Sequence, residues 1–521
     1  MADSGFFSRY GRFFALFVAV IASFVALFGI ASTVFLWRNP DLWCDARPPA
    51  PIFRVQSRSM EPEYRGPRFL WTCPRCGSSF ATSFDVSFPS ETASESGSEL
   101  TETDGVSGAT SSDGEGDSAP LSPGQIEARR VLSRLRVLTC TECGYDRVPA
   151  TDPQFEEGST VSVERPKTDS RQLSFREKLR RAWRREIDRE YREQERQESR
   201  VRPRRWDVAI FRDASGRLTL KRIAGLPGER TSLCNGDVLI NGEAPERTTR
   251  EALSMASPVE SVEYRRSDKR LDVVHVSKVW NGESAESTPS AISNESRVPC
   301  LNGSNLSRPE LVRDFMLNFN WYSDDGATTR FAVLIRRPTR AFLLVYDEST
   351  STVTLRAKEL FDGAAPSGKK FELLEESDFA NESGVRVELD GPAAPNAVFT
   401  LATLDGTLRF AIDGEDRASF STDDLESTVT APISEPFAIL GDSVRVSNAA
   451  LYRDLHYSRA NDDFSGESDE ERSATLHGPS VLTPEGRYFV LGDNSPASID
   501  SRYSSSGTVA EEDVLFVAAR R

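Results

Sequence analysis

The sequence predicts a mainly β protein with one membrane-spanning helix near its N-terminus. Short runs that alternate apolar and polar residues, and that end at Gly or Asn-Gly turns, predict the strands. One long apolar run predicts the helix. Because 521 residues exceed what one hydrophobic core usually holds, we expect roughly two or three domains.

The predicted helix covers residues 13–37, FFALFVAVIASFVALFGIASTVFLW. This run is longer than the apolar part of a cleaved export signal and lacks a clear cleavage site. We therefore interpret it as an anchor retained in membrane lipid, with a cleaved signal as the alternative. Arg9 and Arg12 precede the run. The positive-inside rule then predicts that residues 1–12 are cytoplasmic and that the rest of the chain lies outside the inner (cytoplasmic) membrane.

Two polar segments follow in the first half of the chain. Residues 90–123 are acidic, rich in Ser and Gly and poor in apolar residues, so we expect them to be disordered. Residues 174–200 are basic, and a capping box formed by Ser174 and Glu177 predicts that they begin a helix. The narrow apolar stripe of this helix fits either an anionic membrane surface or a solvated helix packed on its own domain.

The β pattern is clearest in two regions. Residues 206–242 contain the predicted strands DVAIF, RLTLKRIAG and DVLING. Residues 251–477 form a long insert, and in its second half Asp405 and Asp413, each followed by Gly, separate successive hairpin strands. This spacing predicts a β-sandwich. Both aspartates are better explained as turn formers than as calcium ligands, and no motif identifies a ligand for the sandwich.

Charge and histidine content narrow the possible functions. The formal net charge of −16 argues against nucleic acid as a partner. The chain has only three histidines, His275, His456 and His477, although most hydrolases use histidine as a base or as a metal ligand. Hydrolytic chemistry in this chain would therefore need another base.

A lysine could supply that base. Lys221 lies in the middle of the apolar strand LTLKRIAG, where burial would disfavour its charged form and lower its pKa. Arginine supplies 56 of the 64 basic residues, and arginine cannot be deprotonated in this way. A neutral amine close to the Ser59 hydroxyl could accept the serine proton and create a nucleophile.

Three motifs occur in a fixed order after the apolar run. They are QSRSMEP at 56–62, LKRIAGLPGE at 220–229 with DVLING at 237–242, and YFVLGDNSPASIDSR at 488–502. Together they resemble the conserved boxes of bacterial type I signal peptidases. The resemblance implies a signal-peptidase-like, antiparallel β catalytic domain built from residues 45–250 and 478–521, with the β-sandwich inserted between these two parts.

The resemblance also implies roles for individual residues. Ser59 corresponds to the nucleophile, Lys221 to the general base, Ser57 to a hydroxyl that helps to bind the oxyanion, and Ser498 to the serine that orients the lysine amine. Four further residues correspond to the supporting framework: Gly492, Asp493, Asp500 and Arg502. Of these, Gly492 permits a close backbone approach, and Asp500 with Arg502 corresponds to a salt-bridged pair.

Some positions depart from the family pattern. Arg58 stands beside the nucleophile where a small Gly is usual, so it could narrow or charge the substrate groove. Ser495 and Pro496 replace the Arg-Asp that usually follows Gly-Asp-Asn. These changes leave the catalytic groups in place but make the substrate preference uncertain.

The cysteines form a separate pattern. Two Cys-x-x-Cys pairs, each followed by Gly, lie on either side of the acidic segment: Cys73 with Cys76, and Cys140 with Cys143. Four thiolates can hold one tetrahedral zinc, so we expect a structural zinc-ribbon-like element over residues 73–143. Two disulfides are the alternative, because an extracytoplasmic location permits them.

The function that the resemblance implies is removal of signal peptides from exported preproteins by a membrane-anchored serine endopeptidase. Its Ser–Lys chemistry would pass through an acyl-enzyme and need no cofactor. An alternative from another class is a membrane-tethered binding or scaffold protein with a degenerate protease core. A third interpretation keeps the chemistry but restricts the substrates to exported proteins that the insert at 251–477 selects.

Overall fold

The computed structural model describes most of the predicted domains. The described residues are 52–86, 121–141, 143, 145–164, 202–259, 262–280, 285–289, 300–301, 310–322, 329–337, 340–359, 374–394, 396–421, 436–442, 444–458, 480–503 and 507–519. The predicted anchor at 13–37 and the predicted basic helix at 174–200 lie outside these ranges. Within them, no helix has both the length and the apolar character needed to cross a bilayer.

The chain divides into two compact units. The first contains residues 1–51, 162–202 and 515–517, and the second contains the rest of the chain. Nearly all of the described residues belong to the second unit. Few helices occur among the described residues, so the predicted mainly β class is confirmed.

The described residues before 165 include a small layer that contains the paired cysteines. The elements in this region are β1 (Ile52–Arg54), β2 (Arg68–Thr72), β3 (Ser79–Ser83), α1 (Pro123–Leu132), β4 (Val137–Leu138), β5 (Val148–Pro149), β6 (Gln154–Glu156) and β7 (Thr160–Glu164). Strands β1 and β7 belong to another sheet, and the other elements form the small layer. Strand β2 pairs with both β3 and β6, and β4 pairs with β5. Phe69, Trp71 and Phe84 pack with Cys73 and Cys140 in the core of this layer.

The prediction of disorder for residues 90–123 is wrong at its C-terminal end. Ser122 caps α1 by accepting from the Gln125 backbone N–H, and the Gln125 side chain accepts in return from the Ser122 N–H. Pro123 occupies the first turn of the helix, where its missing N–H is not needed. Residues 90–120 lie outside the described ranges.

The part of the fold that the sequence predicts to be catalytic is built from both ends of the chain and contains two sheets. The elements before the insert are β8 (Val208–Arg212), β9 (Leu218–Gly225), β10 (Arg230–Cys234), β11 (Asp237–Ile240) and α2 (Thr249–Met255). Those after it are β26 (Val481–Leu482), β27 (Arg487–Leu491), β28 (Val509–Ala510) and β29 (Val514–Ala518). Strand β9 pairs with β8 on one side and with β27 on the other, and β27 pairs with β28.

The insert consists of two further antiparallel sheets. Its strands are β12 (Ser257–Pro258), β13 (Val262–Ser267), β14 (Arg270–Trp280), β15 (Ala285–Pro289), β16 (Phe315–Trp321), β17 (Arg330–Arg336), β18 (Arg340–Asp347), β19 (Thr352–Glu359), β20 (Gly384–Glu388), β21 (Val398–Leu404), β22 (Thr407–Ile412), β23 (Glu415–Ser421), β24 (Phe437–Leu440) and β25 (Val446–Arg453). One sheet has the order β12-β25-β16-β21-β22-β23, and the other has β13-β14-β24-β17-β18-β19-β20 with β15 beside β14.

One hydrophobic core joins the two sheets of the insert, so a β-sandwich-like fold fits it. Phe331 of one sheet is fully buried and contacts Phe399 and Phe319 of the other, with ring centroids 4.9 and 5.2 Å apart. The predicted turns at Asp405 and Asp413 are also present, because both residues adopt the positive φ that such turns require.

A buried charge network lies where the sandwich meets the catalytic strands. Arg247, between β11 and α2, pairs with Asp454 at 2.6 Å and with Asp405 at 2.7 Å. Arg313 pairs with Asp237 of β11. Each of these carboxylates therefore has an arginine partner, which a buried charge requires.

We expect Phe331→Ala to destabilise the sandwich by about 3–5 kcal/mol, because it removes an aromatic ring that both sheets contact. Val385→Ala on β20 is the matched control, since 58% of Val385 is exposed and such a change usually costs about 0.5 kcal/mol or less. Urea unfolding of the two variants measures the difference. Equal losses in both variants would contradict a shared two-sheet core.

Candidate active site

The predicted nucleophile lies in a loop between β1 and β2. The Ser59 hydroxyl is 3.2 Å from the Ser57 hydroxyl, within hydrogen-bond distance. Met60 is 1% exposed, and Tyr64 donates its backbone N–H to the Met60 carbonyl at 3.0 Å. These contacts fix the backbone of the loop directly after Ser59, while the two hydroxyls face a cavity.

Lys221 lies on β9, in the middle of the catalytic sheet opposite Ala209. The lysine is 4% exposed, and its Nζ donates to Ser498 Oγ at 2.7 Å. Burial lowers the pKa of the Lys221 amine to about 8, although the Asp500 carboxylate acts in the opposite direction. A substantial fraction of this amine is therefore neutral at a slightly alkaline pH, unlike that of an exposed lysine.

A glycine turn brings the two halves of the site together. A Cβ atom added at Gly492 would lie 2.1 Å from Ser498 Oγ and 2.7 Å from the Ser59 carbonyl oxygen, so only glycine fits. Two residues further on, Asn494 donates its backbone N–H to the same carbonyl at 3.1 Å. The turn after β27 therefore lies directly against the Ser59 backbone.

Ser59 and Lys221 line one cavity of about 1020 Å³. They belong to two separate hydrogen bonds, however: Ser59 is close to Ser57, and Lys221 donates to Ser498. No hydrogen bond joins the Ser59 hydroxyl to the Lys221 amine, and both residues are among those described. The structure brings the two groups to the same cavity without joining them.

Asp500 and Arg502 form the salt bridge that the resemblance implies, with 2.8 Å between Arg502 Nε and Asp500 Oδ1. Asp500 also accepts the Gly492 N–H at 2.9 Å, and Arg502 donates to the Ser498 carbonyl at 3.2 Å. Burial alone would raise the pKa of the Asp500 carboxyl, but Arg502 and these bonds hold it below its usual value. The pair thus supports the turn that carries Ser498.

Sequence reasoning missed Arg222, which holds Asp493 in place. Arg222 is 3% exposed and donates to both Asp493 oxygens, at 2.8 and 2.5 Å, and to Glu63 at 2.6 Å. Because neighbouring strand residues point to opposite faces, Arg222 and Lys221 serve different sides of β9. An arginine inside an apolar strand was the available signal, since a buried guanidinium needs carboxylate partners.

Arg58, which the sequence suggests could narrow or charge the groove, is only 5% exposed and is not among the residues that line the cavity. Its backbone N–H instead donates to Asp85 Oδ1 at 2.9 Å. Sequence reasoning also missed Asp85, which follows β3 and lines the same cavity as Ser59.

The four paired cysteines lie together, with all their sulfur atoms within 4.8 Å of one another. The Cys73 and Cys143 sulfurs are 3.7 Å apart, and those of Cys76 and Cys140 are 3.9 Å apart. A disulfide needs about 2.05 Å. Tetrahedral coordination with Zn–S bonds of about 2.3 Å places sulfurs about 3.8 Å apart. The observed separations therefore fit a shared metal and not a disulfide.

The comparison with family models gives one match. The model described as "Signal peptidase, peptidase S26" matches residues 163–288 and 437–519, less than half of the chain. This match supports a signal peptidase-like protein. The matched ranges contain Lys221 and Ser498 but neither Ser57 nor Ser59. No curated protein matches the chain.

Several solved structures resemble part of the chain, all with low identity. The galectin LEC-6 of Caenorhabditis elegans is 14% identical, with 28% of this chain and 93% of that chain covered and a TM-score of 0.17. Sheep galectin-11 in complex with glycerol is 11% identical, with 32% and 98% covered and a TM-score of 0.18. The carbohydrate binding module CBM66 from Bacillus subtilis is 12% identical, with 38% and 92% covered and a TM-score of 0.17. These scores are too low to identify a ligand.

Proposed function

We propose that this protein is a serine endopeptidase that removes signal peptides from exported preproteins, with Ser59 as nucleophile and Lys221 as general base. One observation carries the proposal. A buried lysine with a pKa of about 8 donates to Ser498 and lines the same cavity as Ser59. The family match over the residues around Lys221 and Ser498 supports the same class of peptidase.

The geometry supports the following sequence of steps. The neutral Lys221 amine accepts the Ser59 proton, and Ser59 Oγ attacks the carbonyl carbon of the scissile peptide bond. The Ser57 hydroxyl and the Ser59 N–H donate to the oxyanion. The Lys221 ammonium then protonates the leaving amine, which leaves an acyl-enzyme. A water molecule deprotonated by the same lysine attacks the ester, and the Lys221 ammonium returns this proton to Ser59 Oγ as the acid product leaves.

The first step requires one local movement. Ser59 Oγ lies 3.2 Å from Ser57 Oγ in this structure and must turn towards Lys221 to give up its proton. That turn frees the Ser57 hydroxyl to donate to the oxyanion. Catalytic hydrogen bonds often tighten only when substrate is bound. We therefore propose that substrate binding brings the Ser59 hydroxyl and the Lys221 amine within hydrogen-bond distance.

The anchor predicted at 13–37 would keep this site close to the bilayer, outside the cytoplasmic membrane. Preproteins that share the membrane would then meet the site at a high effective concentration. The competing proposal is a tethered binding or scaffold protein with a degenerate core. In a core without catalytic activity, burial of the Lys221 amine would only lower the stability of the fold, because the amine loses its hydration. This cost favours the enzyme.

Ser59→Ala and Lys221→Ala should each lower kcat/KM for a signal-peptide substrate by at least about 10³-fold, because each removes one member of a catalytic pair. Ser377→Ala and Lys269→Ala are matched controls at exposed positions and should retain full activity. Circular dichroism should show that all four variants are folded. Activity that persists in Lys221→Ala would exclude the proposed base.

The pH dependence should identify the amine. Lys221 accepts a proton only when it is neutral, so kcat/KM should rise with pH around an apparent pKa of about 8. Below that pH the ammonium predominates and activity should fall about tenfold per pH unit. A profile of kcat/KM from pH 5 to pH 10 tests this. A limb centred near 6.5, the ordinary pKa of histidine, would point to another base.

We also propose that the four paired cysteines, Cys73, Cys76, Cys140 and Cys143, hold one structural zinc ion. The spacing of their sulfurs supports this. Four thiolates fill a tetrahedral site, so the metal would have no open position for substrate, and its contribution would be to the folding of the small layer.

Elemental analysis of protein purified with a reducing agent should find about one zinc per chain. Cys76→Ser should lose most of it, whereas Cys234→Ser, a buried position in the catalytic part, should retain it. The alternative makes a different prediction. Two disulfides would give a metal-free protein whose mass increases by two hydrogen atoms per bond on reduction.

A further inference from the structure

Asp85 connects the four-cysteine layer to the nucleophile loop. It lines the cavity together with Ser59 and Lys221. Its Oδ1 accepts the backbone N–H of Arg58 at 2.9 Å. Arg58 directly precedes Ser59, so this bond acts one residue before the nucleophile. The peptide between Arg58 and Ser59 carries the N–H that the proposed mechanism uses for the oxyanion.

Hydrogen bonds hold the backbone on both sides of the Arg58 Cα atom. Asp85 accepts the Arg58 N–H of the preceding peptide, and the Asn494 side chain donates to the Arg58 carbonyl of the Arg58–Ser59 peptide at 3.1 Å. Beside them, Val86 donates its N–H to the Gln56 carbonyl at 3.0 Å. Residues 85–86 therefore run along the nucleophile loop and hold it opposite the turn that contains Asn494.

The position of Asp85 is set by the layer that holds the cysteines. Strand β3 begins three residues after Cys76 and ends at Ser83. Phe84 comes next and is fully buried, with its ring 5.1 Å from Phe69 in the core of the layer. Ser83 also accepts the Leu301 N–H at 2.9 Å. Asp85 thus projects from a rigid element into the cavity.

We propose that Asp85 is a positioning residue for the nucleophile and that the four-cysteine layer serves to place it. This inference rests on the proposed peptidase function. Asp85 holds the backbone at Arg58, directly before the nucleophile, through its carboxylate oxygen, and it lines the same cavity as the proposed base. None of the three motifs that resemble signal peptidases contains this residue.

The charge of Asp85 acts on Lys221 together with three other groups. Burial lowers the pKa of the Lys221 amine, Asp500, Asp493 and Asp85 each raise it, and Arg502 lowers it. Removing the Asp85 charge should therefore lower the Lys221 pKa further. More of the amine is then neutral at a given pH, so the rising limb of kcat/KM should move to lower pH.

Two substitutions separate the hydrogen bond from the charge. Asp85→Asn keeps an oxygen that can accept the Arg58 N–H but loses the charge, so it should move the limb to lower pH and change kcat on the plateau by less than about threefold. Asp85→Ala loses both, so it should show the same shift and a plateau kcat lowered about 10- to 100-fold. Asp146→Asn, an exposed carboxylate in the same layer, should change neither.

The outcomes distinguish this inference from the proposed function. If Ser59→Ala and Lys221→Ala abolish cleavage but neither Asp85 variant changes kcat or the limb, the inference fails alone. A loss of kcat in both variants without a shift of the limb would show a merely structural role. The Lys221 pKa can also be measured without turnover, from the pH dependence with which an added acylating reagent labels the Lys221 amine. Mass spectrometry would follow this labelling and give the shift of the Lys221 pKa. An unchanged profile in Asp85→Asn would overturn the inference whether or not the protein is a peptidase.

Discussion

The site depends on keeping one amine away from water. Lys221 is 4% exposed, and burial is the largest influence on its pKa. Unpaired carboxylates nearby would raise the Lys221 pKa and keep the amine charged. Asp500 is paired with Arg502, however, and Asp493 is paired with Arg222. The sheet thus supplies a dry position for the amine, and the ion pairs prevent the surrounding acids from keeping it protonated.

The fold explains how a large sandwich can interrupt this sheet without separating its parts. The first and last strands of the insert, β12 and β25, pair with each other, so the chain leaves and returns at neighbouring positions. Arg247, just before the insert, forms a buried ion pair with Asp454, which directly follows β25. The insert has its own core, so strands β9 and β27 can pair as they would in an uninterrupted chain.

Local patterns made part of this structure predictable. Alternation within LTLKRIAG predicted β9 and the burial of Lys221, and the resemblance to signal peptidases implied that Ser498 would contact this lysine. Pairings between distant residues could not be deduced in this way. Arg222 and Asp493 are 271 positions apart, and Arg58 and Asp85 are 27 apart in a region without periodicity. The start of α1 was not predicted, because the acidic composition of residues 90–123 indicated disorder and the capping signal that begins at Ser122 is only four residues long.

The hydrogen bond between Lys221 and Ser498 spans 277 positions of the chain. A ribosome therefore completes the lysine strand long before it makes the serine that orients it, and the whole sandwich is synthesised in between. A nascent or truncated chain that ends within the sandwich contains Ser59 and Lys221 but not the turn that carries Ser498. The order of synthesis thus delays the assembly of the proposed catalytic site until the polypeptide is almost finished.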